Sequence, residues 1–279
     1  MQVYTAGNTR RAVFPTFGDF ISEMKRISDN GGGYQSYGGG QWAGADSLSE
    51  AVRICENGWN GGRKTVEDVM GRLQTSLKQM ARDMVPQMVH DVAGAYPDMG
   101  LFMEGEPECM VQFVANDDQT VGQVCRILVD CGASSLYTAE WMQKRAGAVC
   151  ALVQALTMVG KSVEVWIASA VTIGKKTHDT TVCVHQAGKS LNVDDIAFAL
   201  GHPAMLRQMI FSVRHDKVMG YDTQDMGRTC GHIAETKQYL SPEVIVERAE
   251  NEPAGTPDAV KDPEKWVRHQ LVKMGLLGE

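Results

Sequence analysis

The run Val124-Cys125-Arg126-Ile127-Leu128-Val129-Asp130-Cys131 narrows the possible folds of this chain more than any other segment. Apart from Arg126 it is apolar up to its closing Asp130-Cys131. A run that long without alternation belongs to a strand covered on both faces, in the middle of a sheet. A helical pattern follows over 139–159, with Ala146, Val149, Cys150, Val153, Leu156 and Met158 among its apolar positions and Gly160 ending it. SVEVWIASAV (162–171) reads as the next strand, and a turn through Gly174 leads to TTVCVHQ (180–186), its antiparallel neighbour. Strand, long helix, strand is the parallel crossover of an α/β fold. The expected fold is therefore α/β: a Rossmann-like, mainly parallel sheet with an antiparallel edge strand, helices on both faces and an N-terminal extension.

Composition divides the chain into an N-terminal helical and glycine-rich extension (1–105), an α/β core (106–240), and an acidic linker with a C-terminal helix (241–279). In the extension, Phe17, Phe20, Ile21, Met24 and Ile27 give one helical face over 14–27. The segment 29–47, DNGGGYQSYGGGQWAGADS, holds too much glycine for a helix or a central strand and reads as a long loop. Asp46 or Ser47 caps a helix over 48–57, which Gly58 ends. A second glycine cluster occupies 58–64, and Thr65 with Asp68 resembles a capping box opening a helix to Met84. In the core, CMVQFVAN (109–116) reads as a further strand. Asn192 caps a helix over 193–200, which His202-Pro203 breaks before it resumes over 204–213. The acidic third region reads as a short helix, a linker, and a terminal helix over 263–274 that docks through Trp266, Val267, Leu271 and Val272.

Apolar residues make up 43% of the 279 and charged residues 22%, the balance of a globular chain. The net charge of −7 excludes a uniformly basic nucleic-acid-binding surface but leaves room for a local basic face. None of the seven cysteines forms a C-x-x-C pair, so they read as reduced, buried thiols. No apolar run approaches the roughly 20 residues of a membrane span. The expected location is the cytoplasm. The histidines are scattered, with no H-E-x-x-H, and neither a phosphate loop nor a glycine-flanked nucleophile follows a strand. The expectation is a binding protein, not an enzyme.

Two segments carry candidate sites. The first is Asp130-Cys131-Gly132-Ala133-Ser134-Ser135, where the apolar strand ends, the position at which open α/β sheets place their ligands. Asp130 and Ser134 either cap the strand-to-helix turn or direct oxygens at a hard divalent cation such as Mg²⁺. From Val124 to Gln186 the chain resembles a von Willebrand factor A domain, whose first strand ends in D-x-S-x-S. Here the motif is D-C-G-A-S, with Gly132 in place of the first serine. The resemblance implies a protein-interaction module with a degenerate metal-dependent adhesion site. Thr177, Asp179, Asp222 and Asp225 are candidates for its later ligands, though none sits in a motif.

The second segment is the glycine-rich loop. Tyr34, Tyr37, Trp42 and Trp59 lie in or beside it, and Arg10, Arg11, Lys25, Arg26, Arg63, Lys64, Arg72, Lys78 and Arg82 surround them. Residues 1–82 carry ten Lys and Arg against eight Asp and Glu, despite the acidic whole. Aromatic faces that stack bases and cations that follow phosphates are what hold single-stranded nucleic acid. The alternatives are a loop whose rings fold back onto the core, or a protein-docking loop. LSEAVRICENGW (48–59), RAGAVCALVQALTMVGKSVEVWIAS (145–169) and IAFALGHPAMLRQMIF (196–211) make the chain similar to phage proteins, among them the podovirus single-stranded-DNA-binding RNA polymerase cofactors (the Drc family). That resemblance implies an early phage protein in the host cytoplasm, acting in transcription or replication. Its partners would be single-stranded DNA and a phage RNA polymerase, with a homo-oligomer as a further possibility. Bases would stack on Tyr34, Tyr37, Trp42 and Trp59. Phosphates would lie against Arg10, Arg11, Lys25, Arg26, Arg63 and Lys64.

Overall fold

The apolar run becomes strand β6 (Val124–Asp130), hydrogen-bonded on both sides within a six-stranded sheet. The computed structural model describes residues 1–34, 42–84, 87–94, 96–114, 124–132, 137–173, 175–216, 234–247 and 255–278. The sheet order is β1-β2-β8-β7-β6-β9, built from β1 (Gln2–Ala6), β2 (Thr9–Phe14), β7 (Ser162–Ile173), β8 (Lys176–His185) and β9 (Val244–Val246). β6 runs parallel to β7 and β9; β7 and β8 form an antiparallel pair. This is the expected Rossmann-like arrangement.

Three elements depart from the sequence reading. The first fourteen residues are not an appendage: Gly7-Asn8 turns a hairpin between β1 and β2, and β2 then adds to β8 in parallel, Thr9 opposite Thr177. Gly7 has φ +56°, the left-handed conformation that a tight two-residue hairpin requires. The helix that follows, α1 (Phe17–Asp29), begins three residues after the expected start, where Thr16 accepts a hydrogen bond from the Asp19 amide. Next, 109–116 does not join the core sheet. Within it, β5 (Met110–Val114) lies between β3 (Gln87–Asp91) and β4 (Tyr96–Pro97) in a second, three-stranded sheet. Finally, the third region opens with a strand instead of a short helix: the β-branched run Val244-Ile245-Val246 pairs with Ile127–Val129 as β9.

One face of the main sheet carries the large core. Ala12, Phe14, Ile127, Val129, Val165, Ile167, Val182 and Val184 belong to a single buried cluster with the helices. α5 (Ala139–Met158) crosses from β6 to β7, with Thr138 as its N-cap. Nearly every residue from Arg145 to Leu156 is buried, so the helix is enclosed on all sides instead of showing a polar face. Against it lie α3 (Asn60–Met84), α6 (Val193–Gly201) and α9 (Pro263–Lys273). Trp266, Val267 and Leu271 of α9 are buried in the same cluster, so the terminal helix docks on its own chain. The opposite sheet face is smaller: Leu128, Ala168 and Ala170 pack with Leu240 of α8 (Ala234–Leu240).

Two glycines explain how α3 reaches this position. The helix starts at Asn60, five residues before the expected capping box, and runs through Gly61 and Gly62. A Cβ at Gly62 would stand 2.1 Å from the Trp59 ring, so that cluster makes room for an indole instead of forming a flexible loop. At Gly147 of α5, a Cβ would lie 2.7 Å from that of Val69, so α3 and α5 approach with only a hydrogen at this crossing. Among the described residues, no single helix is long and apolar enough to cross a membrane.

Candidate nucleic-acid interface

Most of the aromatic and basic residues of the N-terminal hundred are committed to contacts inside the chain. Tyr34 packs edge-on against Phe211, ring centroids 5.2 Å apart, beside His215, and its amide donates to Ser212 Oγ. Phe211 opens α7 (Phe211–His215), which continues a π-helical stretch, Met205–Ile210, in place of the uninterrupted helix expected there. From that stretch Arg207 lies over the Trp42 ring at 4.3 Å and donates to the Trp42 carbonyl at 2.6 Å. Trp59 meets the His202 ring at 4.4 Å. All three rings remain half-buried. Tyr37 lies outside the described residues.

The cations divide in the same way. Arg11 donates to Asp179 Oδ2 at 2.8 Å and stacks over Tyr239. Lys25 pairs with Glu56 at 2.5 Å, of α2 (Leu48–Asn57), whose N-cap is Ser47. Arg26 bonds both Glu23 and Asp216. Arg63 bonds Glu67 at 2.8 Å and Asp194 at 2.9 Å. Arg10 is half-buried on β2, opposite His178. Of the six cations proposed to hold phosphates, Lys64 is the exposed one with no ion pair among the described residues.

Lys64 has company that its position in sequence half conceals. Along α3, Arg72, Lys78 and Arg82 are also exposed and also free of ion pairs among the described residues. Lys78 and Arg82 lie fourteen and eighteen residues beyond Lys64, close to whole numbers of turns, so the three fall on one line of the helix. Arg72 stands about 80° round from that line. From Val69 to Arg82 the chain has no acidic residue. The row spans about 27 Å, and the opposite side of α3, through Val66, Leu73 and Leu77, is locked to the core. The result is a rigid basic rod, with the half-buried Trp59 just before its first turn.

The end of β6 is built differently. Asp130 is buried; its Oδ1 accepts from the Gly132 amide at 2.8 Å, closing the turn. Arg145 of α5, also buried, reaches the ends of two parallel strands. It donates to the Asp130 carbonyl at 3.1 Å, to the Val246 carbonyl at 3.1 Å, and to the carbonyl of Glu247. A guanidinium thus occupies the carboxyl ends of β6 and β9, and its fixed positive charge opposes a divalent cation there. Ser134, Asp222 and Asp225 lie outside the described residues. Thr177 meets Thr172 across the β7–β8 pair, hydroxyl to hydroxyl at 3.1 Å. Asp179, another candidate cation ligand, is surrounded by donors: Arg11, Thr236 at 2.5 Å and Thr181 at 3.3 Å. Among the described residues no three His, Cys, Asp or Glu side chains gather as a metal site.

Burial moves several ionisable groups away from their ordinary values. Burial pushes the thiols of Cys55, Cys125, Cys150 and Cys183 up to about 12. Burial, then the charges of Arg214 and Arg10, lowers His178 to about 3, and burial lowers His202 to about 4. Sequence reading did not single out Arg145 or Arg214, which donates to Ser169 Oγ at 2.5 Å. The available signal was an arginine at the edge of an apolar run: Arg145 opens one after Gln143-Lys144, and Arg214 closes one before His215-Asp216. No curated protein and no solved structure matches this chain. A family model described as a domain of unknown function (DUF7192) matches residues 3–277.

Proposed function

Because the chain belongs to the DUF7192 family over nearly its whole length, we propose its function from its own surface: it is a non-enzymatic protein that binds single-stranded DNA along α3. The observation that carries this reading is the row Lys64, Arg72, Lys78 and Arg82, exposed and unpaired among the described residues while neighbouring cations are neutralised by carboxylates. Cations that already hold a carboxylate gain little from a phosphate; unpaired ones release counterions when they bind. A rod of about 27 Å matches several nucleotides of extended strand. The half-exposed ring of Trp59 lies just before its first turn, and stacking on such a ring is what favours single strands over duplex. The accessory role in phage transcription or replication, the RNA polymerase partner and the host cytoplasm are what the resemblance to podovirus cofactors adds.

Fluorescence anisotropy with a labelled oligonucleotide tests it. Single-stranded DNA binds more tightly than the duplex, and log K falls with log salt at a slope of about −3, four contacts at about −0.7 each. The variant with Lys64, Arg72, Lys78 and Arg82 all changed to Ala loses at least about tenfold in affinity and most of that slope. Unchanged binding by this variant overturns the α3 assignment; absence of binding by the wild type overturns the function.

A further inference from the structure

Beyond the basic rod the charge reverses. Between Arg82 and Arg126 the chain has no lysine or arginine and eight Asp and Glu. Among its described residues this stretch holds the three-stranded sheet and one short helix, α4 (Met99–Glu104), none of whose side chains is buried. The helix exists without a core because its ends are capped. Asp98 Oδ1 accepts from the amides of Gly100 and Leu101, and Gly105 closes the other end in the left-handed conformation. β4 anchors it, Tyr96 opposite Val111 on β5.

What the capped helix presents is apolar. Met99, Phe102 and Met103 are 60%, 59% and 83% exposed, at the i, i+3, i+4 spacing of one helix face. Val92 and Tyr96 are exposed within the same dozen residues. Asp91, Glu104, Glu106 and Glu108 stand exposed in the same stretch. An exposed apolar face costs solubility and is retained where it binds something. Methionine adapts its shape to varied apolar partners. The acidic surroundings select a partner of opposite charge and repel an acidic one.

We propose that this projection docks a basic amphipathic helix of a protein partner: apolar side chains against Met99, Phe102 and Met103, and Lys or Arg towards Asp91, Glu104, Glu106 and Glu108. The recognition mode is a helix laid on an apolar surface. The site shares no residue with the DNA-binding row.

The probe is a fluorescent peptide of repeated Leu-Lys-Lys-Leu-Leu-Lys-Leu heptads, with a twin carrying Glu for each Lys, titrated against the full chain. The basic peptide binds and its twin does not. The triple variant Met99→Ser/Phe102→Ser/Met103→Ser keeps every charge yet weakens binding at least about tenfold. The quadruple variant Asp91→Asn/Glu104→Gln/Glu106→Gln/Glu108→Gln weakens it and flattens its salt dependence. Circular dichroism and Tm accompany each variant, and both stay at wild-type values because no substituted side chain is buried. Equal binding by the triple variant overturns the proposal, since attraction to net negative charge alone would then explain it. So does a concentration-dependent dimer that the triple variant abolishes and the peptide cannot displace, which would make a second copy the occupant. Binding of neutral phosphatidylcholine vesicles through the same residues also overturns it.

Discussion

Arg11 and Asp179 face each other in register across the parallel β2–β8 ladder, with the guanidinium Nε 2.8 Å from a carboxylate that is almost wholly buried. The arginine neutralises a charge that the sheet would otherwise hold alone. Arg11→Ala is therefore expected to destabilise the fold by about 3 kcal/mol, the range for stranding one member of a buried pair. Urea unfolding measures it. DNA affinity per folded molecule stays unchanged, which separates Arg11 from the residues of α3.

His202 gives a pH dependence with a definite sign. Its Nδ1 accepts from the Ala204 amide at 3.1 Å, and its ring lies between Phe198 and Trp59, so the folded protein holds it neutral. Burial lowers it to about 4 from an ordinary 6.5, and His178 to about 3. Below pH 6.5 the unfolded chain takes up protons that the folded chain refuses. Stability is thus complete above that pH and drains away as pH falls towards 4, by at most about 1.4 kcal/mol per unit for each histidine. Melting curves from pH 7.5 to 4.5 should show Tm level above about pH 6.5 and falling below it. His202→Asn keeps an acceptor and removes a proton site, so its curve should be flatter; an identical slope would assign the pH dependence elsewhere.

At the crossing of α3 and α5, Gly147→Ala places a methyl 2.7 Å from Val69 Cβ. Alanine favours the helix by about 1 kcal/mol, while overpacking costs about 1–3 kcal/mol, so the single variant loses stability or at best breaks even. Val69→Gly opens the space, because it removes the Cβ itself together with both Cγ atoms. A double-mutant cycle by urea unfolding should return a favourable coupling of about 1 kcal/mol or more between the two changes, and additivity would show that the helices yield instead.

Arg145 serves the carbonyls of Asp130, Val246 and Glu247 at once, and its removal strands them in the core. Arg145→Ala is expected to cost about 3 kcal/mol or more. Mg²⁺ should leave the Tm of the wild type unmoved. A rise with Mg²⁺ that disappears in Asp130→Ala would place a cation at this strand end.

Elements with a strong local code were legible beforehand. The apolar run of β6, the Asn192 and Ser47 caps and the strand runs over 162–171 and 180–186 each hold their meaning within a few residues. Elements set by distant partners were not. Residues 60–64 contain two glycines that argue against a helix, and only the Trp59 ring lying over Gly62 explains them. β9 is three residues long, too short for any period to register, and follows a proline that suggests a helix start. The Gly7-Asn8 hairpin signal was present, but Arg10 and Arg11 read as candidate phosphate contacts and not as part of a strand. For the candidate site, residue type could be read but occupancy could not. Arg63 and Asp194 are 131 positions apart, and nothing local reveals that they meet. Lys64, its neighbour, meets no one among the described residues, and the sequence treats the two alike.

The parallel pairing of residues 9–14 with 177–182 also bears on how the protein is made. Synthesis runs at about 5–20 residues per second, so β2 waits roughly 10–30 s for its partner strand to leave the ribosome. Throughout that interval Val13 and Phe14 have no sheet to enter. α9, which brings Trp266 into the core, emerges later still. The hydrophobic centre is thus closed by segments made far apart in time, β2 with β8 and then α9. Nascent chains stalled before residue 177 should be chaperone clients, held open by the absence of β8.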